Sequence, residues 1–337
     1  MVEQPPLVQA LLTPAAYPHH PEKIEMVQTQ MSFIFLTGDY VYKVKKPVDL
    51  GYLDYTTLEK RKHFCHQEVI LNRRLCPGVY LDVVPIIEDK GNISIEGRGE
   101  AIEYAVKMRQ LPQERTMDHL LKNNQVTREM VEQVAQRLAS FHQEAETNEM
   151  IASYGDLNIL ATNTEENFTQ TEKYIGVTIS PGKYDVIKSY TEAFLKENTA
   201  LFRQRMRDDR IRDCHGDLHA AHVCFTNGIC IFDCIEFNER FRFSDVANEV
   251  AFLAMDLDYH GRTDLSRHFV ESYMEASGDQ EMMKLLDYYK CYRAYVRGKV
   301  ESFKLDDPLI PAEEKARGKD IARRYFDLAQ SYIPKDN

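Results

Sequence analysis

The chain has 337 residues, enough at roughly 150 residues per domain for two domains or one two-lobed unit. It is 43% hydrophobic and 28% charged, a globular balance that excludes wholesale disorder. Its 53 acidic and 42 basic side chains give a net charge of −11, opposite to that of a general nucleic-acid binder.

The first 20 residues, rich in Pro and His, predict a loosely helical lead-in. No Lys or Arg precedes Lys23, and Pro14 breaks the short apolar stretch, so neither a signal peptide nor an anchor is expected. No apolar run reaches the roughly 18–20 residues that span a bilayer, so no membrane partner is expected. Seven scattered cysteines with no CxxC read as reduced thiols of a cytoplasmic protein, without a zinc ribbon.

IEMVQTQ, SFIFL and YVYKVKK are three strand-like runs between Lys23 and Lys45, the last two joined by Gly38-Asp39. Thr57 to Leu75 reads as a helix stopped by Pro77-Gly78. VYLDVVPII, NISIEG and IEYAVKMRQL then read as three more strands. Residues 1–110 are therefore expected to form a mainly antiparallel sheet carrying one long helix. Residues 111–337 are expected to be mostly helical, an α+β chain overall. Thr127 is a plausible cap for a helix with Met130, Val131, Val134, Leu138 and Phe141 on its apolar face. Residues 146–182 read as an irregular surface insertion, and Tyr184 to Met206 as one helix.

Residues 213–233, DCHGDLHAAHVCFTNGICIFD, break the helical pattern. Asn227-Gly228 predicts a type I′ hairpin between VCF and ICIF. Such a hairpin places His215-Gly216-Asp217 before its first strand and Asp233 after its second, so the two carboxylates should converge. Paired carboxylates suit phosphoryl transfer, one orienting a hydroxyl and the other holding Mg2+. That chemistry also needs a cation on the phosphates. Lys43 on the third strand and Glu68 on the helix supply a Lys–Glu pair in the right order. Lys45 shares a strand face with Lys43; Lys43, flanked by Tyr42 and Val44, is the preferred phosphate contact and Lys45 is expected to be solvated.

This order of parts resembles the aminoglycoside phosphotransferase and choline-kinase-like family, over about Glu25 to Leu305. The resemblance rests on HGDLHAAH, VCFTNGICIFD and the following IFDCIEFNERFRFSDVANEVAFLAMDL. VYKVKKPVDLGYLDY, YAVKMRQLP and FDCIEFN are similar to an uncharacterised bacterial branch whose members often carry a P-loop kinase domain. The chain has no GxxxxGK[ST], so a separate P-loop kinase partner is one expectation.

The resemblance implies a bilobal protein-kinase-like fold, with a nucleotide-binding lobe in 1–110 and a helical lobe in 111–337 holding the catalytic loop and acceptor site. It implies a small-molecule kinase using ATP and Mg2+ to phosphorylate a hydroxyl of a small acceptor. Asp217 would be the base, with His215 packed under its loop, and Asp233 the main Mg2+ ligand. Lys43 and Glu68 would serve the phosphates, and Met108, Arg109, Gln110 and Leu111 the adenine. Asp245 would brace the catalytic loop. Glu236, Tyr292, Arg293 and Arg297 are candidate acceptor contacts.

Two features depart from that pattern. His222 stands where the family has Asn as a metal ligand, and imidazole suits Mg2+ poorly. The loop Gln28 to Ser32 lacks glycine. Two alternatives follow: a non-catalytic, pseudokinase-like nucleotide-binding module, or a metallohydrolase using His215, Asp217, His219 and His222. DYYKCYRAYVRGKV (287–300) interleaves Tyr with Lys and Arg, but its spacing reads as a packed helix face rather than a base-stacking surface.

Overall fold

The computed structural model describes residues 5–308 and 310–334. In chain order, the chain begins with α1 (Pro6–Leu11), β1 (Glu25–Gln28), β2 (Ser32–Leu36), β3 (Tyr40–Lys45) and α2 (Leu58–Asn72). Next come β4 (Tyr80–Asp89), β5 (Asn92–Ile95), β6 (Glu100–Arg109), α3 (Met117–Lys122) and α4 (Arg128–Glu144). They are followed by α5 (Glu149–Ser153), α6 (Leu157–Thr171), α7 (Pro181–Glu197), α8 (Thr199–Arg207) and β7 (Ile211–Asp213). The remaining elements are β8 (Val223–Thr226), β9 (Gly228–Ile231), α9 (Glu239–Arg242), β10 (Phe243–Asp245), α10 (Val246–Tyr259), α11 (Thr263–Ser277), α12 (Leu286–Phe303) and α13 (Ala312–Ser331).

The chain divides into two compact units. One runs to Thr116 and adds His222–Glu239; the other comprises Met117–Ala221 and the chain from Arg240 on. The hairpin carrying Asp233, expected in the 111–337 lobe, thus groups with the first unit. The physical reason is its ties to α2 and the turn that follows it: Cys234 N–H donates to Asn72 Oδ1 at 2.9 Å, and Cys76 and Cys230 form a disulfide. That pairing corrects the expectation of seven reduced thiols. No cysteine spacing could announce it, since 154 residues separate the partners.

The first unit is built on an antiparallel sheet ordered β1-β2-β3-β6-β4-β5. Alternation along β3 decides its two faces. Tyr42 and Val44 join Phe35, Val84, Ile86 and Ala105 in a core that α1 covers with Val8 and Leu11. Lys43 and Lys45 point to the other face, toward α2, where Cys65 and Val69 pack on Tyr80 and Val106. Thr57 caps α2 by accepting from Lys60 N–H. The β8–β9 register is centred on Asn227, and of the two turn residues only Gly228 has positive φ, 141°, so the turn is not type I′.

The second unit is helical around Phe168, Ile187, Phe252, Met255, Cys291, Tyr295 and Phe326. Helix α10 is buried from Val246 through Leu257, matching its nearly unbroken apolar run. The expected irregular insertion at 146–182 instead forms α5 and α6. Asn148 and Asp156 cap them, and Phe168 anchors α6 in the core. The expected single helix over 184–206 breaks at Asn198 into α7 and α8. Among the described residues, no helix is long and apolar enough to cross a membrane.

Candidate metal and phosphate site

In the first unit, one buried carboxylate binds two lysines. Glu68, on the inner face of α2, takes Lys43 on Oε1 at 2.8 Å and Lys45 on Oε2 at 2.6 Å. Lys43 also donates to Asp233 Oδ1 at 2.7 Å, and Lys45 pairs with Glu236. Tyr55 OH donates to Glu236 Oε1 at 2.6 Å. Lys45 is 1% exposed, which corrects the expectation of a solvated lysine. Period-two alternation carries it to the same face as Lys43, where it can be charged only because two carboxylates meet it. Burial lowers the Lys43 pKa, but Asp233 and Glu68 lift it well above the usual lysine value. Burial raises the Glu68 pKa, yet Lys43 and Lys45 hold it below the usual carboxylate value.

Asp233 differs from Glu68 in being presented outward. Its side chain is 41% exposed, against 14% for Lys43 beside it. Its backbone sits at φ 63°, a left-handed conformation that Asp tolerates better than most residues and that often marks functional positions. Its N–H donates to Tyr80 OH at 3.0 Å. Burial, followed by the Asp233 carboxylate, pushes the Tyr80 pKa well up, so that phenol stays neutral. His222 Nε2 lies 3.5 Å from Asp233 Oδ2, because β8 and β9 bring the two ends of the hairpin together. A half-exposed carboxylate oxygen beside an imidazole, with an ammonium on the other oxygen, fits a divalent cation and phosphate. The nitrogen donor favours Mn2+ or Zn2+ over Mg2+.

Other expected site residues of this unit lie at the end of the central strand β6 or in the unit's interior. Met108 pairs with Val41, and Arg109 and Gln110 N–H donate to Val79 and Asp39 carbonyls at 2.9 and 3.0 Å, so those two donors are occupied. Glu236 is committed to Lys45 and Tyr55 rather than to a substrate wall.

In the second unit, the His215–Asp217 segment is held from below. Glu249, fully buried on α10, accepts His215 N–H at 2.8 Å, Gly216 N–H at 2.6 Å and His142 Nε2 at 2.8 Å. His142 Nδ1 meets Tyr273 OH at 2.7 Å. Burial raises the Glu249 pKa, but the bond and charge of His142, then His215 and Gly216, bring it down to about 2. Arg293 clamps the same turn, reaching Gly216 O at 3.2 Å and Asn248 Oδ1 at 2.8 Å, so it positions backbone. Asp217 N–H donates to His215 Nδ1 at 3.3 Å, and its carboxylate lies 3.7 Å from His219 Nε2. Arg297 lies over the Tyr325 ring, and Arg293 lies near the Tyr292 ring. Asp245 caps α10 and takes Arg205 through both oxygens, at 2.6 and 2.9 Å. Glu249 and Tyr80 were not singled out from the sequence. The one available signal was an acidic residue inside the apolar run of α10.

Comparison with known proteins gives three findings. Residues 96–236 match the model of Peptidase family M54, a stretch shorter than half the chain. Uncharacterized proteins of Mycobacterium tuberculosis and Mycobacterium bovis are 31% identical over 279 residues, covering 82% of this chain and 54% of theirs. The chain therefore spans about half the length of the curated relatives it matches. Among solved structures, an amicoumacin kinase in complex with AMP-PNP, Ca2+ and Ami aligns at TM-score 0.55 and 11% identity, over 95% of this chain and 91% of that one. A choline/ethanolamine kinase family protein from Mesorhizobium loti aligns at TM-score 0.51 and 12% identity, over 97% of this chain and 100% of that one.

The structural likenesses establish the fold as mixed α/β and protein-kinase-like, as expected. The expected membership of the aminoglycoside phosphotransferase and choline-kinase-like family is corrected. The matching family model is that of a peptidase, and the expected γ-phosphate transfer to a hydroxyl acceptor falls with it. Of the alternatives, the match favours the metallohydrolase. The matched stretch holds His215 and His219 at the i, i+4 spacing of a HExxH helix. Gly216-Asp217-Leu218 replaces its interior, and the segment is bend rather than helix.

Proposed function

We propose that the first unit binds a divalent cation together with the phosphates of a nucleotide such as ATP, as a nucleotide-binding module. The observation that carries this reading is Asp233. It is half-exposed, held at positive φ, bonded to part-buried Lys43 on one oxygen and near His222 on the other. Lys43 supplies fixed positive charge for phosphate oxygens, and Glu68 keeps it protonated and aimed. Asp233 and His222 would hold the cation, which when bound supplies charge neutralisation between the phosphates and Asp233. Among structures of this fold, the amicoumacin kinase holds AMP-PNP and Ca2+, which supports the same ligand classes here. The test is calorimetric titration of the chain with ATP and GTP, with Mg2+, with Mn2+ and without metal. Metal-dependent binding supports the reading; no binding under any condition ends it.

The family match favours a second reading, metal-dependent hydrolysis on the 96–236 stretch, with Asp217 and His219 as ligand types 3.7 Å apart. Bound zinc would lower the pKa of a coordinated water. Zinc found by elemental analysis, with chelator-sensitive peptide hydrolysis, supports this reading; a zinc-free chain inactive after zinc addition removes it.

A further inference from the structure

A third polar cluster, between α6 and α12, plays no part in either site above. Lys299 Nζ donates to Asn167 Oδ1 at 2.6 Å and to Gln170 Oε1 at 2.8 Å. Both acceptors are neutral amides. The nearby carboxylate, Glu166, is engaged by Arg240 through two bonds of 2.7 and 2.9 Å. Asn167 is 5% exposed, and its Nδ2 is buried with no hydrogen-bond partner among the described residues. A buried donor left without a partner is unfavourable, so the site is poised to receive an acceptor. The same amide thus holds an amine on its oxygen and keeps an unused donor on its nitrogen.

We propose that Lys299 is a carbonyl-addition site, where its amine attacks a small aldehyde or ketone whose oxygen is received by Asn167 Nδ2. The nitrogen lone pair forms the N–C bond, and the carbonyl π pair moves to oxygen. Proton transfer from nitrogen to that oxygen gives the carbinolamine. Loss of one water leaves the imine, with no electrons exchanged and no further reactant. The step needs the neutral amine. Burial lowers the Lys299 pKa to about 8, with Glu166 opposing this and Arg240 adding to it. About a tenth of such amines are neutral at pH 7, against fewer than about one in a thousand at the ordinary lysine pKa. Desolvated lysines serve this chemistry elsewhere.

The test is reductive trapping of the full chain with acetaldehyde and cyanoborohydride, mapped by peptide mass spectrometry. Lys299 should be labelled at least fivefold faster than the exposed Lys196 at pH 7.5, with a rate rising through pH 8. Gln170→Glu, at an exposed position, sets a carboxylate beside Nζ and should slow labelling severalfold while the fold persists. Lys299→Arg should lose the label. Labelling of Lys299 no faster than Lys196, or an unchanged rate in Gln170→Glu, overturns the proposal.

Discussion

Glu68 and Glu249 are both fully buried carboxylates, yet they solve that burial in opposite ways. Glu68 is neutralised by two full charges, Lys43 and Lys45, one of which also bonds Asp233. Glu249 is neutralised by two backbone N–H groups and an imidazole. The first arrangement leaves positive charge beside a half-exposed acid, as a phosphate and cation site needs. The second is enclosed in the interior with no exposed acid beside it among the described residues, and its product is a fixed backbone under Asp217. Equal burial therefore does not mean equal role; the partner set decides.

The largest expected effect comes from breaking the first arrangement. Glu68→Ala removes the carboxylate that Lys43 and Lys45 share, leaving each ammonium a single acid, Asp233 or Glu236, and should cost about 3–5 kcal/mol, the usual penalty for opening a buried pair. Urea denaturation measures it, and a loss below about 1 kcal/mol would deny that Glu68 is their counter-ion. Glu249→Gln should cost on the order of 3 kcal/mol near neutral pH, because its folded pKa of about 2 lies some two units below the free value. The unfolded state binds the extra proton between about pH 4.3 and 2, so stability present above that window is lost as pH falls through it. The wild-type and Gln variant stabilities should converge near pH 2, and parallel pH profiles would contradict the assignment.

Asp233→Ala should lower metal-dependent nucleotide affinity about a hundredfold, or roughly 2.7 kcal/mol, with a modest fall in Tm because Ala is less suited to φ 63°. Equal calorimetric affinities with and without the side chain would sharpen the comparison against the phosphate site. Lys43→Ala should cost about tenfold in the same titration. Lys45→Met should show mainly as altered stability, since Lys45 is enclosed by Glu68, Glu236 and Tyr55. His222→Asn should have the smallest effect, shifting preference from Mn2+ toward Mg2+ by a few fold as an oxygen donor replaces nitrogen. An unchanged metal ratio would place His222 outside the metal shell.

The sequence by itself determined the local elements. Period-two alternation, turn residues and caps are properties of neighbouring residues, so β1 to β6, α2, α4 and the β8–β9 hairpin were legible from the chain alone. It also marked Lys43, Glu68 and Asp233 for attention. It misjudged 146–182, where polar composition hid the capped helices α5 and α6, whose Ile151 and Phe168 pack in two separate distant cores. Only the tertiary structure decided which charges meet. Lys45 reads as a strand-edge lysine until α2 and the hairpin bring Glu68 and Glu236 to it. Cys76 and Cys230 are 154 residues apart before the hairpin docks. Glu249 is one acid in an apolar helix until the fold sets two N–H groups against it. Local propensity is written within a few residues of sequence, whereas the partner of a buried charge comes from wherever the fold brings the chain back.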